Sequence, residues 1–104
     1  MVLRSSGPGS SRRWAVGATT DPDSVEFADM VRSAGGDWRP VTVAPERLHD
    51  AVRTLQPQLV FVDRSVPHHD LLLAEVREQC PPGTLIVNSY DLPELRFLMR
   101  AGHA

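Results

Sequence analysis

The feature that most constrains the fold is an alternation of four short apolar runs with segments of helical periodicity. The apolar runs are WAVGA at 14–18, WRPVTV at 38–43, LVFV at 59–62 and LIV at 85–87. Short apolar runs bounded by turn residues are typical of buried strands, and LVFV is apolar enough to be a central one. Strands that alternate with helices predict an α/β fold, with a parallel sheet covered by helices on both faces.

Turn and capping residues delimit the helices between these strands. Asp21-Pro22 is predicted to begin the first helix, because Asp is a favourable N-cap and Pro suits the first helical position. Gly35-Gly36 is predicted to end it. Pro40 places the second strand at an edge of the sheet, since proline has no N–H to donate to a neighbouring strand. The remaining helices are predicted at 45–55, 70–79 and 91–100.

Length and charge narrow the class of protein. The chain has 104 residues, enough for one domain, and we expect a flexible N-terminal tail at 1–12 followed by the domain at 13–104. The net charge is −2, so no basic surplus favours binding to nucleic acid. No apolar run is long enough to span a bilayer, and Cys80 is the only cysteine. We therefore expect a cytoplasmic protein without a nucleic-acid or membrane partner.

Residues 57–70, PQLVFVDRSVPHHD, resemble the receiver domain of bacterial response regulators. In both, an apolar strand ends in an Asp (Asp63), a proline follows (Pro67), and a second Asp comes after it (Asp70). The stretch VNSYDLPELRFLMRAGHA at 87–104 is similar to the receiver segment from the fourth strand to the end of the fourth helix. The resemblance implies a flavodoxin-like three-layer sandwich with strand order 2-1-3-4. It also implies that Asp63 accepts a phosphoryl group, which in the family comes from a histidine kinase.

The chain departs from the receiver pattern at positions that support phosphoryl transfer. Receivers bind Mg²⁺ with an acidic pair after the first strand, and here Thr19 and Thr20 occupy those places, followed by Asp21. Hydroxyl groups are poorer ligands than carboxylates for this hard cation, so the pattern disfavours a Mg²⁺ cofactor. The family's switch hydroxyl is matched by Asn88, with Ser89 next to it. These departures leave open whether a histidine kinase is a partner of this chain.

Other receiver features are expected to be missing. Leu71 stands where receivers usually have glycine, and the chain contains no lysine. We also expect the fifth strand and the fifth helix to be absent, which would leave an unpaired edge at Leu85–Val87 and uncovered apolar surface near Trp14 and Val16. An apolar edge of this kind favours a protein partner or a homo-oligomer that contacts the chain there.

Three functions remain open at this level, and none of them is enzymatic. The first is an atypical, truncated receiver-like signalling module that acts through protein–protein interaction, with residual phosphorylation at Asp63. The second is a small-molecule sensor that uses the same crevice, and the third is a structural assembly domain. Asp63 equally fits a polar residue that ends a strand and caps the next loop. His68 and His69 favour a solvated loop over a metal site.

Overall fold

The computed structural model describes residues 13–88, and its helices and strands alternate in the predicted order. The strands are β1 Arg13–Ala18, β2 Trp38–Val43, β3 Leu59–Val62 and β4 Leu85–Asn88. The helices are α1 Glu26–Ser33, α2 Leu48–Leu55 and α3 His69–Arg77, and a 3-10 turn at Pro45–Arg47 leads into α2. No helix in this part of the chain is long and apolar enough to cross a membrane. The predicted tail at 1–12, Ser89 and the predicted helix at 91–100 lie outside the described residues.

The four strands form one parallel sheet in the order β2-β1-β3-β4. Ala18 of β1 is in register with Val43 of β2 on one side and with Val62 of β3 on the other, and Val62 is in register with Asn88 of β4. The predicted parallel α/β sheet with order 2-1-3-4 is therefore confirmed. Pro40 lies in β2, at an edge of the sheet, where its missing N–H costs no ladder hydrogen bond.

The core consists of two apolar clusters, one on each face of the sheet. The cluster under α1 contains Ala15, Phe27, Met30, Val31, Ala34, Leu59, Phe61 and Val87. The cluster under α2 and α3 contains Val16, Ala18, Leu48, Val52, Val60, Val62, Val66, Leu73 and Val76. Alternate residues of each strand thus face opposite helices, as the period of a strand requires.

The expectation of bare apolar surface near Val16 is wrong. Val16 is 0 % exposed, because Leu48 and Val52 of α2 belong to the same packed cluster and cover this face. Trp14 is only half-buried, and the guanidinium of Arg39 lies 5.8 Å from the centroid of its ring. A cation over an aromatic face is favourable, so one face of the Trp14 ring has a charged neighbour.

Helix α1 begins at Glu26, not at Pro22, so the predicted start is wrong. The N-cap residue is Val25, which makes no side-chain cap, and the Oγ of Ser24 accepts the N–H of Glu26 at 3.3 Å. Asp21 instead opens a turn in which its carbonyl accepts a hydrogen bond from the N–H of Ser24 at 3.0 Å. Asp followed by Pro favours a β-turn as strongly as it favours a helix start, and here the turn forms.

Candidate functional site

The carboxyl ends of β1 and β3 lie side by side and bring Thr19 and Asp63 to the same edge of the sheet. The N–H of Asp63 donates to the carbonyl of Ala18 at 2.9 Å, which continues the pairing of the two strands by one residue. The N–H of Thr19 donates to the carbonyl of Val43 at 3.1 Å, which does the same toward β2. The carboxyl edge of a parallel sheet is where sites of α/β proteins form, so these residues occupy the expected position.

The carboxylate of Asp63 is half-buried, and residues 13–88 engage only one of its two oxygens. Its Oδ2 accepts a hydrogen bond from the N–H of Ser65 at 3.2 Å, and its carbonyl accepts one from the N–H of Val66 at 3.0 Å. This is the loop-capping role that an Asp side chain often has after a strand. Its Oδ1 accepts no hydrogen bond from residues 13–88 and is available to another partner.

Thr19 and Thr20 use their hydroxyl groups within the loops of this edge. The Thr19 Oγ1 accepts a hydrogen bond from the N–H of Asp21 at 3.3 Å. The Thr20 hydroxyl donates to the Oγ of Ser65 at 3.1 Å, which links the loop after β1 to the loop after β3. The side chain of Asp21 is exposed and does not line the cleft beside Asp63. The structure therefore brings Thr19 to Asp63 but leaves the Asp21 carboxylate outside.

A small cleft opens beside Asp63. Its volume is about 60 Å³, and its walls come from Thr19, Ser24, Glu26, Phe27, Thr42, Phe61 and Asp63. A water molecule takes up roughly 30 Å³ in the liquid, whereas pockets for small molecules measure roughly 300–1,000 Å³. The cleft is therefore large enough for a cation or a few waters and too small for a metabolite.

Glu26 is the residue of this cleft that the sequence analysis missed. It is the first residue of α1 and faces the same cleft as Asp63, with no hydrogen bond or ion pair from its carboxylate to residues 13–88. Its place follows from the late start of α1, because a helix that began at Pro22 would carry Glu26 into its second turn. The sequence feature that could have indicated Glu26 is an acidic residue in the segment between β1 and α1, because this segment begins at the carboxyl edge of the sheet.

The oxygen atoms around the cleft are of a type that binds a hard cation, but they are too few to complete its coordination. The carboxylates of Asp63 and Glu26 are ligands of the type that Mg²⁺ prefers, and the hydroxyls of Thr19 and Ser24 add weaker oxygen ligands. Within residues 13–88, however, no group of three or more His, Cys, Asp or Glu side chains is arranged to hold a metal ion. A Mg²⁺ ion here would need water or a bound phosphoryl group to complete its six ligands.

Asn88 is the other site residue that the described part of the chain contains. It ends β4 in register with Val62, so its backbone lies at the same edge of the sheet as Asp63. Leu71, which replaces the usual glycine, lies in the first turn of α3 and is 64 % exposed.

The three histidines within residues 13–88 do not converge on one point. His68 adopts a left-handed backbone conformation with φ of 55° just before α3, and it is exposed. The Nδ1 of His69 lies 3.2 Å from the carboxylate of Asp70. His49 belongs to α2, where its Nε2 lies 3.1 Å from the carboxylate of Glu75 in α3.

Strand β4 has no partner on its outer side within residues 13–88. Leu85 and Ile86 are partly exposed, whereas Val87 is only 1 % exposed. A shallow cavity of about 430 Å³ adjoins the amino end of the strand, between Arg77 and Ile86. Cys80 lines this cavity, and burial raises the pKa of its thiol while the nearby Arg77 opposes that change.

No protein-family model matches the chain, and no curated protein or solved structure matches it either. The receiver resemblance consequently rests on the sequence pattern around Asp63, and it stays a prediction.

Proposed function

We propose that this protein is an atypical receiver-like signalling module that acts through protein–protein contact and retains a phospho-acceptor at Asp63. The observation that carries the proposal is the Oδ1 of Asp63, which accepts no hydrogen bond from residues 13–88 and lies at the tip of the inner strand β3, in the same cleft as Thr19. The strand order 2-1-3-4 and a carboxylate at this edge are what a flavodoxin-like receiver would require.

The chemistry would be a simple displacement at phosphorus. The Oδ1 of Asp63 attacks the phosphorus of a phosphoryl donor, the bond from phosphorus to the leaving group breaks, and the leaving group departs with the electron pair. The product is an acyl phosphate on Asp63. Negative charge on the phosphoryl oxygens must be neutralised during this step, and a Mg²⁺ ion held by Asp63 and Glu26 would supply that neutralisation.

Within residues 13–88, no cationic side chain lines the cleft beside Asp63, which predicts slow phosphorylation. The chain contains no lysine, and threonines stand where an acidic pair is expected. Removal of a single preorganised donor from an active site typically lowers the rate by about 10²–10³. We therefore expect transfer to be slow with small donors, and we expect the contact with a protein partner to matter more than the rate of chemistry.

Two exposed apolar side chains support a protein partner at this edge. Val25 precedes α1 and is 63 % exposed, and Leu71 in the first turn of α3 is 64 % exposed. Both helices begin at the carboxyl edge of the sheet, so both side chains stand on the same side of the molecule as Asp63. Single exposed apolar residues are ordinary, but two at the carboxyl end of one sheet suit a contact surface there. The edge at Leu85–Val87 is a second surface that a partner or another copy of the chain could use.

Incubation with Mg²⁺ and acetyl phosphate, followed by intact-mass spectrometry, tests the proposal. The wild-type protein should gain one phosphoryl group, and Asp63→Asn should gain none. Asp23→Asn is the matched control, because Asp23 is an exposed carboxylate in the loop after β1 and does not line the cleft. Absence of both phosphorylation and beryllofluoride binding in the wild-type protein, or a phosphoryl group that persists in Asp63→Asn, contradicts the proposal.

A further inference from the structure

The two edge strands of the sheet, β2 and β4, differ in what they offer to another strand. On β2, the carbonyl of Val43 accepts the N–H of Thr19 of the neighbouring β1 at 3.1 Å. Backbone groups along a strand point alternately to its two sides, so the odd-numbered residues of β2 face β1 and the even-numbered ones face outward. Pro40 is the middle one of these outward residues and has no N–H. The β2 edge is therefore protected against pairing with a further strand.

The β4 edge carries no such protection. The N–H of Leu85 donates to the carbonyl of Gln58 at 2.9 Å, so Leu85 and Val87 face β3 and Ile86 faces outward. The N–H and the carbonyl of Ile86 have no hydrogen-bond partner within residues 13–88. The segment TLIVN at 84–88 contains neither a charged residue nor a proline, which are the usual means of keeping edge strands apart.

The side chains of β4 would gain apolar contacts from a strand placed beside them. Ile86 packs against the cluster under α2 and α3, and Leu85 packs against the cluster under α1, yet both side chains are partly exposed. The cavity of about 430 Å³ between Arg77 and Ile86 opens beside the same strand. A strand at this edge would therefore extend both layers of the core as well as the sheet.

We propose that β4 pairs antiparallel with β4 of a second copy of this chain, around a two-fold axis at Ile86, so that two sheets join into one of eight strands. In this register the two Ile86 residues exchange their N–H and carbonyl groups, as a hydrogen-bonded antiparallel pair does. Leu85 then lies opposite Val87 of the second copy, and no like charges meet across the axis.

The difference between the edges favours a second copy paired through β4 over a growing chain of copies. Pairing of β4 with β2 of another copy would leave two free edges, and growth would continue; Pro40 opposes this mode because it cannot donate to the added strand. Pairing of β4 with β4 uses both unprotected edges at once, so the assembly closes at two copies. Two-fold dimers of this kind are the commonest protein oligomers.

This dimer goes beyond the proposed function and does not depend on it. Antiparallel β4 strands point their carboxyl ends in opposite directions, so the two Asp63 carboxylates would lie at opposite ends of the joined sheet. Strand β4 has four residues, which is a short contact. Stable interfaces commonly bury about 1,200–2,000 Å². We therefore expect a reversible equilibrium between monomer and dimer.

Sedimentation equilibrium of the full chain, from micromolar to submillimolar concentration, measures this equilibrium. The wild-type protein should form dimers and no larger species. Ile86→Lys should raise the dissociation constant about tenfold or more, because it places a like charge on each side of the axis. Val41→Lys is the matched control, since Val41 is also partly exposed and packs against the same cluster, but from the β2 edge. It should dimerise as the wild-type protein does.

Chemical cross-linking tests the register and uses milder substitutions. Residues that form a hydrogen-bonded antiparallel pair have α-carbons about 5.5 Å apart. In a Cys80→Ser background, a short bismaleimide should therefore link two copies of Ile86→Cys into a covalent dimer. Val41→Cys in the same background should stay uncross-linked. Thermal unfolding of each variant shows whether it is folded.

Three results would overturn the dimer. They are a wild-type protein that stays monomeric throughout the concentration range, because another segment of the chain covers the edge; a folded Ile86→Lys that dimerises as tightly as wild type; and equal cross-linking of the Ile86→Cys and Val41→Cys variants. Phosphorylation of Asp63, followed by intact mass, should be the same in Ile86→Lys as in wild type, so the two proposals can fail separately.

Discussion

Substitution of Gly17 by alanine should destabilise the protein, because a β-carbon at this position would overlap the ring of Phe27. An ideal Cβ at Gly17 would lie 2.8 Å from Cδ2 of that ring and 2.9 Å from Cε2 and Cγ. The ring has little room to retreat. Phe27 is 5 % exposed and is stacked on Phe61 of β3, with ring centroids 5.6 Å apart and planes 6° from parallel.

Two opposing effects determine the size of the change. Insertion of a methyl group into a packed core typically costs about 1–3 kcal/mol of unfolding free energy. Replacement of glycine by alanine restricts the unfolded chain and returns about 0.4–1 kcal/mol. The net loss for Gly17→Ala should therefore be about 1–2 kcal/mol. In a domain of this size such a loss lowers Tm by roughly 5–15 °C.

Urea unfolding followed by tryptophan fluorescence measures this loss, and a double-mutant cycle with Phe27→Leu identifies its cause. The leucine side chain has no ring over Gly17, so Gly17→Ala should cost less in that background, with a coupling energy of at least about 0.5 kcal/mol. Unchanged stability of Gly17→Ala, or free energies that add to within about 0.3 kcal/mol, would refute the overlap with the ring. Because Phe27 and Phe61 also line the cleft beside Asp63, the same substitution should weaken beryllofluoride binding.

Two further predictions concern the opposite end of the sheet. Gln58→Met should lower the unfolding free energy by about 0.5–1.5 kcal/mol. The Oε1 of Gln58 accepts the N–H of Trp14 at 2.7 Å and its Nε2 donates to the carbonyl of Gln56 at 3.1 Å, both at exposed positions where water can replace the lost bonds. A urea midpoint equal to that of wild type argues against this role. Burial raises the pKa of the Cys80 thiol, and the thiolate is the form that reacts with iodoacetamide. At mildly alkaline pH, iodoacetamide should therefore alkylate Cys80 more slowly in the native protein than in the protein unfolded in urea. The pH at which alkylation reaches half its maximal rate should also be higher for the native protein than for the protein in urea. Identical pH profiles in the two states would contradict the raised pKa of Cys80.

Much of the fold could be predicted from local patterns. The apolar run at Leu59–Val62 indicated an inner strand, and all four of its residues are buried. Pro40 indicated an edge strand, and β2 lies at an edge. The end of α1 was predicted correctly and its start was not. Glycines at 35 and 36 have positive φ and stop the helix as expected, whereas Asp21-Pro22 is equally compatible with a turn and a helix start.

The candidate site was predictable only in part. Asp63 and Thr19 each follow a strand, so a parallel sheet with the predicted order had to place them at one edge. The position of Glu26 depended on where α1 begins, and the burial of Val16 depended on how α2 and α3 pack on the sheet. Neither follows from a local pattern, because each is set by contacts between separate elements.

Local chemistry alone thus established the order of helices and strands, the inner position of β3 and the carboxylate at its tip. These follow from apolar periodicity and turn residues, whose effects act over a few neighbouring positions. The folded arrangement was needed to show Glu26 beside Asp63, the bond between Thr20 and Ser65, and Phe27 over Gly17. Such contacts join residues distant in the chain, and they depend on strand register and helix docking, which are properties of the whole packed structure.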